Sequence, residues 1–331
     1  MADSPRKVVL WNLHVLKQLR EPPLKCLKKG DVKNLRNAVA CVCIDSLNGL
    51  DMECAMRRAI IWLKNHTSIS HEILMGLFST SQVPYSGKCV MTIVSRSNGP
   101  RSDASHMCGM STVRLRYSDT YYLQLCMPTS RVLWLHKPEI RNDVLIALFE
   151  RYSFIYTSPR FFWSISPMAY ERLSHSEEAC EVIEAFASPF NNNLDLYCSL
   201  YPEDSEFGSI GDFFTVISTR GVGEGIVSTC RRRWVINPPF TNTIFVQVCD
   251  AISKRMNMAP EDEYYFLMPE WPSSALYALI REHGTMTKLV GGTYLIYDHI
   301  NGTYISPFVD MIFGTIRGRV SLNDVCDLMK K

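Results

Sequence analysis

Asn237-Pro238-Pro239-Phe240 brings an amide, two prolines and an aromatic ring together directly after an apolar, β-prone run, Trp234-Val235-Ile236. These four residues have what the methylation of an exocyclic amine needs. An adenine N6 nitrogen is a poor nucleophile because its lone pair is delocalised into the ring. Two acceptors that take its N–H bonds can hold it for attack on a methyl sulfonium. Asn237 offers a side-chain carbonyl as the first acceptor, and Pro238 offers its backbone carbonyl as the second. The prolines fix the turn and bring no N–H to compete for those acceptors. Phe240 would stack on the base and hold its plane in line with the methyl donor. The competing interpretation is a strand that ends in an ordinary proline turn with an aromatic plug, since four-residue motifs recur by chance.

A second group lies about fifty residues earlier, Glu184-Ala185-Phe186-Ala187-Ser188-Pro189-Phe190-Asn191. It is expected at the end of the first strand of an α/β array and the start of the first helix, where a nucleotide-like cofactor is cradled. Small residues such as Ala187 and Ser188 let the backbone approach closely, and amides at a helix start favour polar or anionic groups. The glycines usual in such a loop are missing.

The elements that must position these groups change character along the chain. Val8–Leu19, Lys33–Leu47 and Met52–Asn65 place apolar residues at three- and four-residue spacing and are expected as helices, separated by Pro22-Pro23 and Asn48-Gly49. Cys89–Val94 and Val113–Met127 are β-prone, with a Ser-, Gly- and Asn-rich loop over Ser95–Gly109 between them. Further helices are expected at Pro138–Tyr152 and Pro167–Ser174. From about residue 180 short strands alternate with helices. The strands are Val182–Ala187, Phe213–Ile217, Trp234–Ile236, Tyr264–Met268, Lys288–Leu295 and Val309–Thr315. The helices are Leu194–Leu200, Thr243–Arg255 and Ser273–Glu282. This rhythm is that of a doubly wound α/β sheet, whose ligands sit beyond the carboxyl ends of the strands. Asn237 falls at such an end. The expected division is a basic, mainly helical domain over 1–175 and an α/β catalytic domain over 176–331.

Composition narrows the class. With 331 residues, 47% of them hydrophobic and 21% charged, the chain is long and apolar enough to bury a sizeable core in one or two domains. No apolar run approaches the roughly 20 residues of a membrane span, and residues 1–7 carry no apolar signal region, so a soluble protein of the cytoplasm or nucleus is expected. The 12 cysteines are scattered without a CxxC pair, which argues for reduced, mostly buried thiols rather than a zinc ribbon or a disulfide framework. The eight histidines show no HxH, HExxH or GxSxG pattern, so neither a metal site nor a serine hydrolase finds support. Residues 1–160 hold 22 Lys+Arg against 12 Asp+Glu, and residues 161–331 hold 13 against 21. A half at +10 beside a half at −8 suggests that one part grips a polyanion while the other does chemistry; basic residues spread over a solvated surface are the alternative.

Taken in order, Phe186-Ala187-Ser188-Pro189-Phe190-Asn191, Tyr197-Cys198-Ser199, Phe207-Gly208-Ser209, Asn237-Pro238-Pro239-Phe240 and Pro269-Glu270-Trp271 resemble the catalytic domain of the phosphorylated-CTD-interacting factor family, cap-specific adenosine N6-methyltransferases, over roughly residues 140–318. The resemblance implies a class I, Rossmann-like methyltransferase domain behind a helical domain that helps to bind capped RNA. It implies transfer of a methyl group from S-adenosyl-L-methionine to N6 of a 2′-O-methyladenosine beside the 7-methylguanosine cap, with no metal. Asn237, Pro238, Pro239 and Phe240 correspond to the catalytic motif. Glu184, Phe186, Ala187, Ser188, Pro189, Asn191, Phe207, Gly208 and Asp212 fall on the cofactor side. The chain begins without the WW module that recruits larger members to the polymerase tail, so that partnership is not expected. Residues 218–233 look longer than the corresponding loop of the family, and the region before residue 140 matches only loosely.

The remaining candidates each have two interpretations. Gly221-Val222-Gly223-Glu224-Gly225 invites a phosphate-loop assignment, but no Lys-Ser/Thr pair follows it, and a flexible loop accounts for it better. Arg231-Arg232-Arg233 would hold phosphates of a capped end or mark a solvated strand entrance. Asp212, just before an expected strand, would accept from the cofactor ribose or its amino-acid part, or simply sit in a turn. Glu270 and Trp271 would wall the substrate pocket, with core filling by Trp271 as the alternative. The expected partner is capped RNA with a 5′-terminal adenosine. Two other functions stay open: adenine N6-methylation of uncapped RNA or DNA, and an inactive relative that only binds RNA.

Overall fold

The chain divides into two units, Met1–Arg160 and Phe161–Lys331, in a computed structural model that describes residues 5–19, 24–47, 50–78, 89–95, 110–116, 122–137, 139–152, 163–175, 180–219, 231–299 and 302–331. In the first unit come helices α1 (Pro5–Gln18), α2 (Lys29–Leu47), α3 (Met52–His66) and α4 (His71–Leu77). In α3 the residues Met52, Ala55, Met56, Ala59, Ile60 and Leu63 form one buried stripe, and Asp51 caps the first turn by accepting from the Cys54 amide at 2.9 Å. The Trp11 indole donates to the Leu77 carbonyl at 3.0 Å, which ties α1 to the end of α4. An antiparallel sheet of β1 (Val90–Ser95), β2 (Met110–Arg116) and β3 (Tyr122–Pro128) follows, then α5 (Thr129–Leu135) and α6 (Asn142–Arg151). The β-prone run Val113–Met127 thus contributes to two strands, β2 and β3. The loop expected over Ser95–Gly109 lies, apart from Ser95, outside the described residues.

The second unit begins with β4 (Trp163–Ser164), α7 (Pro167–Ser174) and β5 (Cys180–Glu184), and a 3-10 turn at Pro202–Phe207 leads to α8 (Phe213–Ser218). Then come β6 (Arg231–Ile236), α9 (Asn242–Met258), β7 (Glu263–Pro269), α10 (Ala275–His283), β8 (Thr285–Leu289), β9 (Ile296–Asp298), β10 (Thr303–Ile305), β11 (Met311–Ile316) and α11 (Leu322–Asp327). The main sheet has the order β5-β6-β7-β11-β8, with β5, β6 and β7 parallel and β11 antiparallel to both of its neighbours. All seven residues of β7 are buried, as its central place requires.

Helices cover both faces. On one, Val235, Tyr265, Leu267, Met311 and Phe313 share a core with Ala169, Tyr170 and Leu173 of α7 and Val325 and Cys326 of α11. Because α7 belongs to this core, the division falls at 160/161 rather than at the expected 175/176. On the other face, Trp234 meets Phe213 of α8 edge-on at 5.9 Å, and α10 lies against β11. A Cβ on Gly314 would stand 2.8 Å from Ile280 Cγ2, so glycine is what allows that approach.

After β5 the chain first moves to the side away from β6. Tyr197 bridges Glu184, and Asp212 bridges Ser199, both in parallel; the chain then recrosses to lay β6 on the other flank of β5. That reversal is a topological switch point, and ligands of open α/β sheets bind in the crevice at the carboxyl ends there.

Three expected elements differ. Phe213–Ile217 is helical because Asp212 accepts from the Thr215 amide at 3.0 Å and Phe213, Val216 and Ile217 form a buried helical stripe; the cap and the spacing outweigh the β propensity. Leu194–Leu200 forms no helix, since its backbone serves the bridges beside β5 and the Leu194 amide is taken by the Glu184 carboxylate at 3.3 Å. The strand expected over Lys288–Leu295 ends at Leu289, where Thr293 N donates to the Val290 carbonyl at 3.1 Å and Gly292 takes φ 85°. No helix among the described residues is long and apolar enough to cross a membrane. The described cysteines are free thiols, yet fewer are buried than expected, with Cys43, Cys198 and Cys326 fully inside.

Candidate active site

The buried strand β6 delivers Asn237 to its carboxyl end, and there the amide is held from one side only. Asn237 Nδ2 donates to the Trp163 carbonyl of β4 at 2.6 Å. A carbonyl can only accept, so this bond fixes which way the amide faces. Asn237 Oδ1 is buried and receives no donor from the described residues. Leaving such an acceptor unmatched costs roughly 1–3 kcal/mol, which makes this atom the least satisfied part of the turn. Pro238 is buried, and the Pro239 carbonyl accepts from Thr241 N at 2.8 Å. Thr241 then caps α9 by accepting from Ile244 N at 3.2 Å, so the turn is anchored on both flanks. The half-buried Phe240 meets Trp271 edge-on, with ring centres 6.4 Å apart.

Beside this turn lies the loop that leaves β5, joined to β6 where Ala185 N donates to the Val235 carbonyl at 2.8 Å. Phe186, Ala187, Ser188, Pro189 and Asn191 are all buried. The Ser188 hydroxyl donates to Asn191 Oδ1 at 2.6 Å and accepts from the Phe190 amide at 3.2 Å. Ala187 N donates to the Cys198 carbonyl, and Phe186 stacks at a tilt on Phe213, 4.5 Å away. These are turns rather than the expected start of a helix, so no helix amides are on offer here.

The buried Glu184 carboxylate organises the same loop. Its Oε1 accepts from Tyr170 Oη at 2.6 Å and Asn193 Nδ2 at 3.2 Å, and its Oε2 from Asn193 N at 2.7 Å and Leu194 N at 3.3 Å. Burial raises the Glu184 carboxyl above its ordinary range, against the lowering effect of those bonds. Tyr170 is raised as well, first by burial and then by the charge of Glu184.

Phe207 is buried, and its carbonyl accepts from Tyr197 Oη at 2.8 Å. Gly208 closes the 3-10 turn at φ 93°, a left-handed conformation that explains the glycine without a ligand. Asp212 precedes a helix rather than a strand, and its carboxylate caps α8.

Two groups expected on the substrate side are placed otherwise. The Arg231–Arg233 run sits at the amino end of β6, opposite to Asn237, and its charges are matched internally. Arg231 pairs with Glu263 at 3.0 Å and Arg232 with Glu181 at 3.2 Å. Arg233 holds Glu263 at 3.0 Å and also donates to the Leu173 carbonyl. Arg232 and Arg233 are fully buried, so they form part of the sheet's ion network and leave the set of phosphate contacts. Glu270 is engaged by Lys288 at 2.6 Å, and Lys288 also reaches Asp310 at 2.7 Å. Trp271 is 39% exposed, which sets aside pure core filling. Residues 221–225 lie outside the described residues.

The structure thus brings the Asn237 turn and the β5 loop together at the switch point, with Trp271 beside Phe240. It adds Trp163, Tyr170, Asn193 and, through Ser164, His299, none of which has a sequence signal, because each acts from a separate element. Among the described residues no group of three or more His, Cys, Asp or Glu could hold a metal ion.

A family model described as the phosphorylated CTD interacting factor 1 WW domain matches residues 135–288. That span runs from the end of α5 into β8 and includes β5, β6, β7 and the Asn237 turn. It is an α/β array, so "WW domain" is the label of that family model and not the architecture of these residues. No curated protein matches the chain.

Proposed function

Because the chain belongs to the phosphorylated-CTD-interacting factor family, we propose that it is an S-adenosyl-L-methionine-dependent methyltransferase acting on N6 of adenosine in RNA, at the nucleotide beside the cap. The observation that carries this reading is the Asn237 amide, whose nitrogen is fixed on Trp163 while its oxygen is a buried acceptor lacking a donor. An exocyclic amine is a donor that suits it. The reading is supported by the location of this acceptor at the switch point of a sheet with helices on both faces, which is compatible with a class I methyltransferase domain.

The residues at the ends of β5 and β6 fit the cofactor in the same sense: an unmatched acceptor stands beside a loop of small residues on the neighbouring strand. Phe186, Ala187, Ser188, Phe207 and Gly208 would hold S-adenosyl-L-methionine, which supplies an electrophilic methyl group when bound. Asn237 Oδ1 and the Pro238 carbonyl accept the two N–H bonds and direct the nitrogen lone pair. Both bonds strengthen as the nitrogen gains positive charge. Neither acceptor is basic enough to keep the spare proton, which leaves to water. Phe240, steadied by Trp271, holds the plane of the base.

The test is mass spectrometry of nucleosides after incubation of the protein and S-adenosyl-L-methionine with matched adenosine-initiated RNAs, capped or uncapped, with or without 2′-O-methylation. N6 methylation confined to the capped first adenosine is the expected result. Methylation of uncapped or internal adenosine keeps the chemistry and overturns the substrate, and an inert protein overturns both.

A further inference from the structure

The bond that fixes Asn237 comes from a very short element. β4 is two residues long and pairs only with β9, through Trp163 with Asp298 and Ser164 with Tyr297. Two residues of ladder open easily, yet the Trp163 carbonyl must stay on Asn237 Nδ2 for the amide to keep its facing. Besides the packing of Trp163 and the adjoining Ile165 on the core of the sheet, a side-chain bond ties β4 down. The buried Ser164 hydroxyl stands 2.9 Å from both the Ile165 carbonyl and His299 Nε2, so it shares a hydrogen bond with the imidazole whichever of the two carries the proton. Asn193 Nδ2, whose hydrogens go to Glu184 Oε1 and the Asn191 carbonyl, lies 3.5 Å from the same ring nitrogen. Tyr297 stands edge-on to the imidazole at 4.8 Å and fixes its tilt. Glu184 holds Asn193 from behind. Asn193 thus comes up to the imidazole from the β5 loop, and the line to the amide runs from His299 through Ser164 to Trp163 and Asn237.

We propose that His299 is a positioning residue for the Asn237 amide: the hydrogen bond between its Nε2 and Ser164 pins β4, and the pinned Trp163 carbonyl keeps Asn237 Oδ1 turned away from β4 as an acceptor. This rests on the methyltransferase reading for its purpose and on geometry alone for its existence. His299 is half-buried and Ser164 fully buried, so the histidine is the gentler place to intervene.

The experiment follows the Asn237 side-chain NH2 in the ¹⁵N-labelled full chain, assigned by its loss in Asn237→Ala, together with turnover of capped, adenosine-initiated RNA. In His299→Ala the amide hydrogens should exchange roughly tenfold faster or more, as local opening of β4 requires. The kcat should fall about tenfold or more, as displaced reacting groups do, with KM for both substrates little changed. His299→Gln, whose amide can place a hydrogen-bonding group near the position of Nε2, should restore both readouts toward wild type, and Ser164→Ala combined with His299→Ala should be no worse than either alone. An Asn237 NH2 unmoved by His299→Ala, or additive losses in the pair, overturns the proposal whatever the activity. Faster exchange in a protein that methylates no RNA supports the positioning role and removes the functional reading instead.

Discussion

Asn237 and Trp163, 74 residues apart in the chain, are joined by a 2.6 Å hydrogen bond from side-chain amide to backbone carbonyl. The bond leaves one end of the amide committed and the other, Oδ1, buried without a donor among the described residues. Asn237→Asp tests both ends at once, because a carboxylate cannot donate to Trp163. This variant and Asn237→Ala are expected to lower single-turnover methyl transfer by about 10²–10³-fold, the usual scale for loss of one preorganised hydrogen bond at a reacting group. Calorimetric titration with S-adenosyl-L-methionine should give nearly the wild-type affinity. A variant that keeps a near-normal rate removes the mechanism.

Arg233 distinguishes a structural arginine from a phosphate ligand. Its guanidinium and the Glu263 carboxylate are each 1% exposed and 3.0 Å apart. Arg233→Met should therefore destabilise the chain by roughly 3–5 kcal/mol in chemical denaturation, since it leaves a buried charge less well matched. KM for RNA in the folded protein should not move; a raised KM at unchanged stability would return Arg233 to the substrate.

Glu184 carries a pH signature. Burial raises its carboxyl from the ordinary 4.5, so the native state holds the proton to higher pH than the unfolded chain. Its contribution to stability is full below 4.5 and is lost as pH rises through the raised native value. Glu184→Gln should be less stable by roughly 1–3 kcal/mol, because four donors then face a group with one acceptor. It should also lack that downward segment in urea midpoints measured upward from pH 4.5. Parallel curves for the two proteins would contradict the assignment.

Trp271 touches Phe240 and Phe245, at 6.4 and 5.6 Å between ring centres, while 39% of it stays exposed. Trp271→Ala should raise KM for RNA about 2- to 10-fold, the equivalent of an aromatic pair. Cofactor binding and the melting temperature should change little. Equal losses in RNA and cofactor affinity would point to a general collapse of the pocket.

The place of the Asn237 turn in the fold was legible in the sequence because its parts are local. The apolar run Trp234-Val235-Ile236 and the prolines after it mark a strand end, and Asn237 is found at one. Strands β5, β6, β7 and β11 and helices α9 and α10 were legible for the same reason, as were α3 and α7. Arg231-Arg232-Arg233 misled because a charge run normally means a solvated face, and its partners, Glu181 and Glu263, come from the neighbouring strands. Phe213–Ile217 misled because aromatic and β-branched residues favour strands, whereas Asp212 supplies a helix cap that a propensity count does not weigh. Trp163 and His299 could not be found in this way at all. Each contributes through a fold-dependent contact, one with a backbone atom and one with a hydroxyl across the β4–β9 pair.

The strand order of the second unit also sets when its sheet can be finished. β11 follows β8 in the chain yet lies between β7 and β8, so β8 has no partner in the sheet until residues 311–316 arrive. During synthesis the Asn237 turn and the parallel strands can assemble early, while β8 waits as an unpaired edge of the kind that invites association with other chains. Pulse-labelled hydrogen exchange during refolding should accordingly show β5, β6 and β7 protected first and β8 together with β11. The Asn237 turn would then be built well before the far side of the sheet closes.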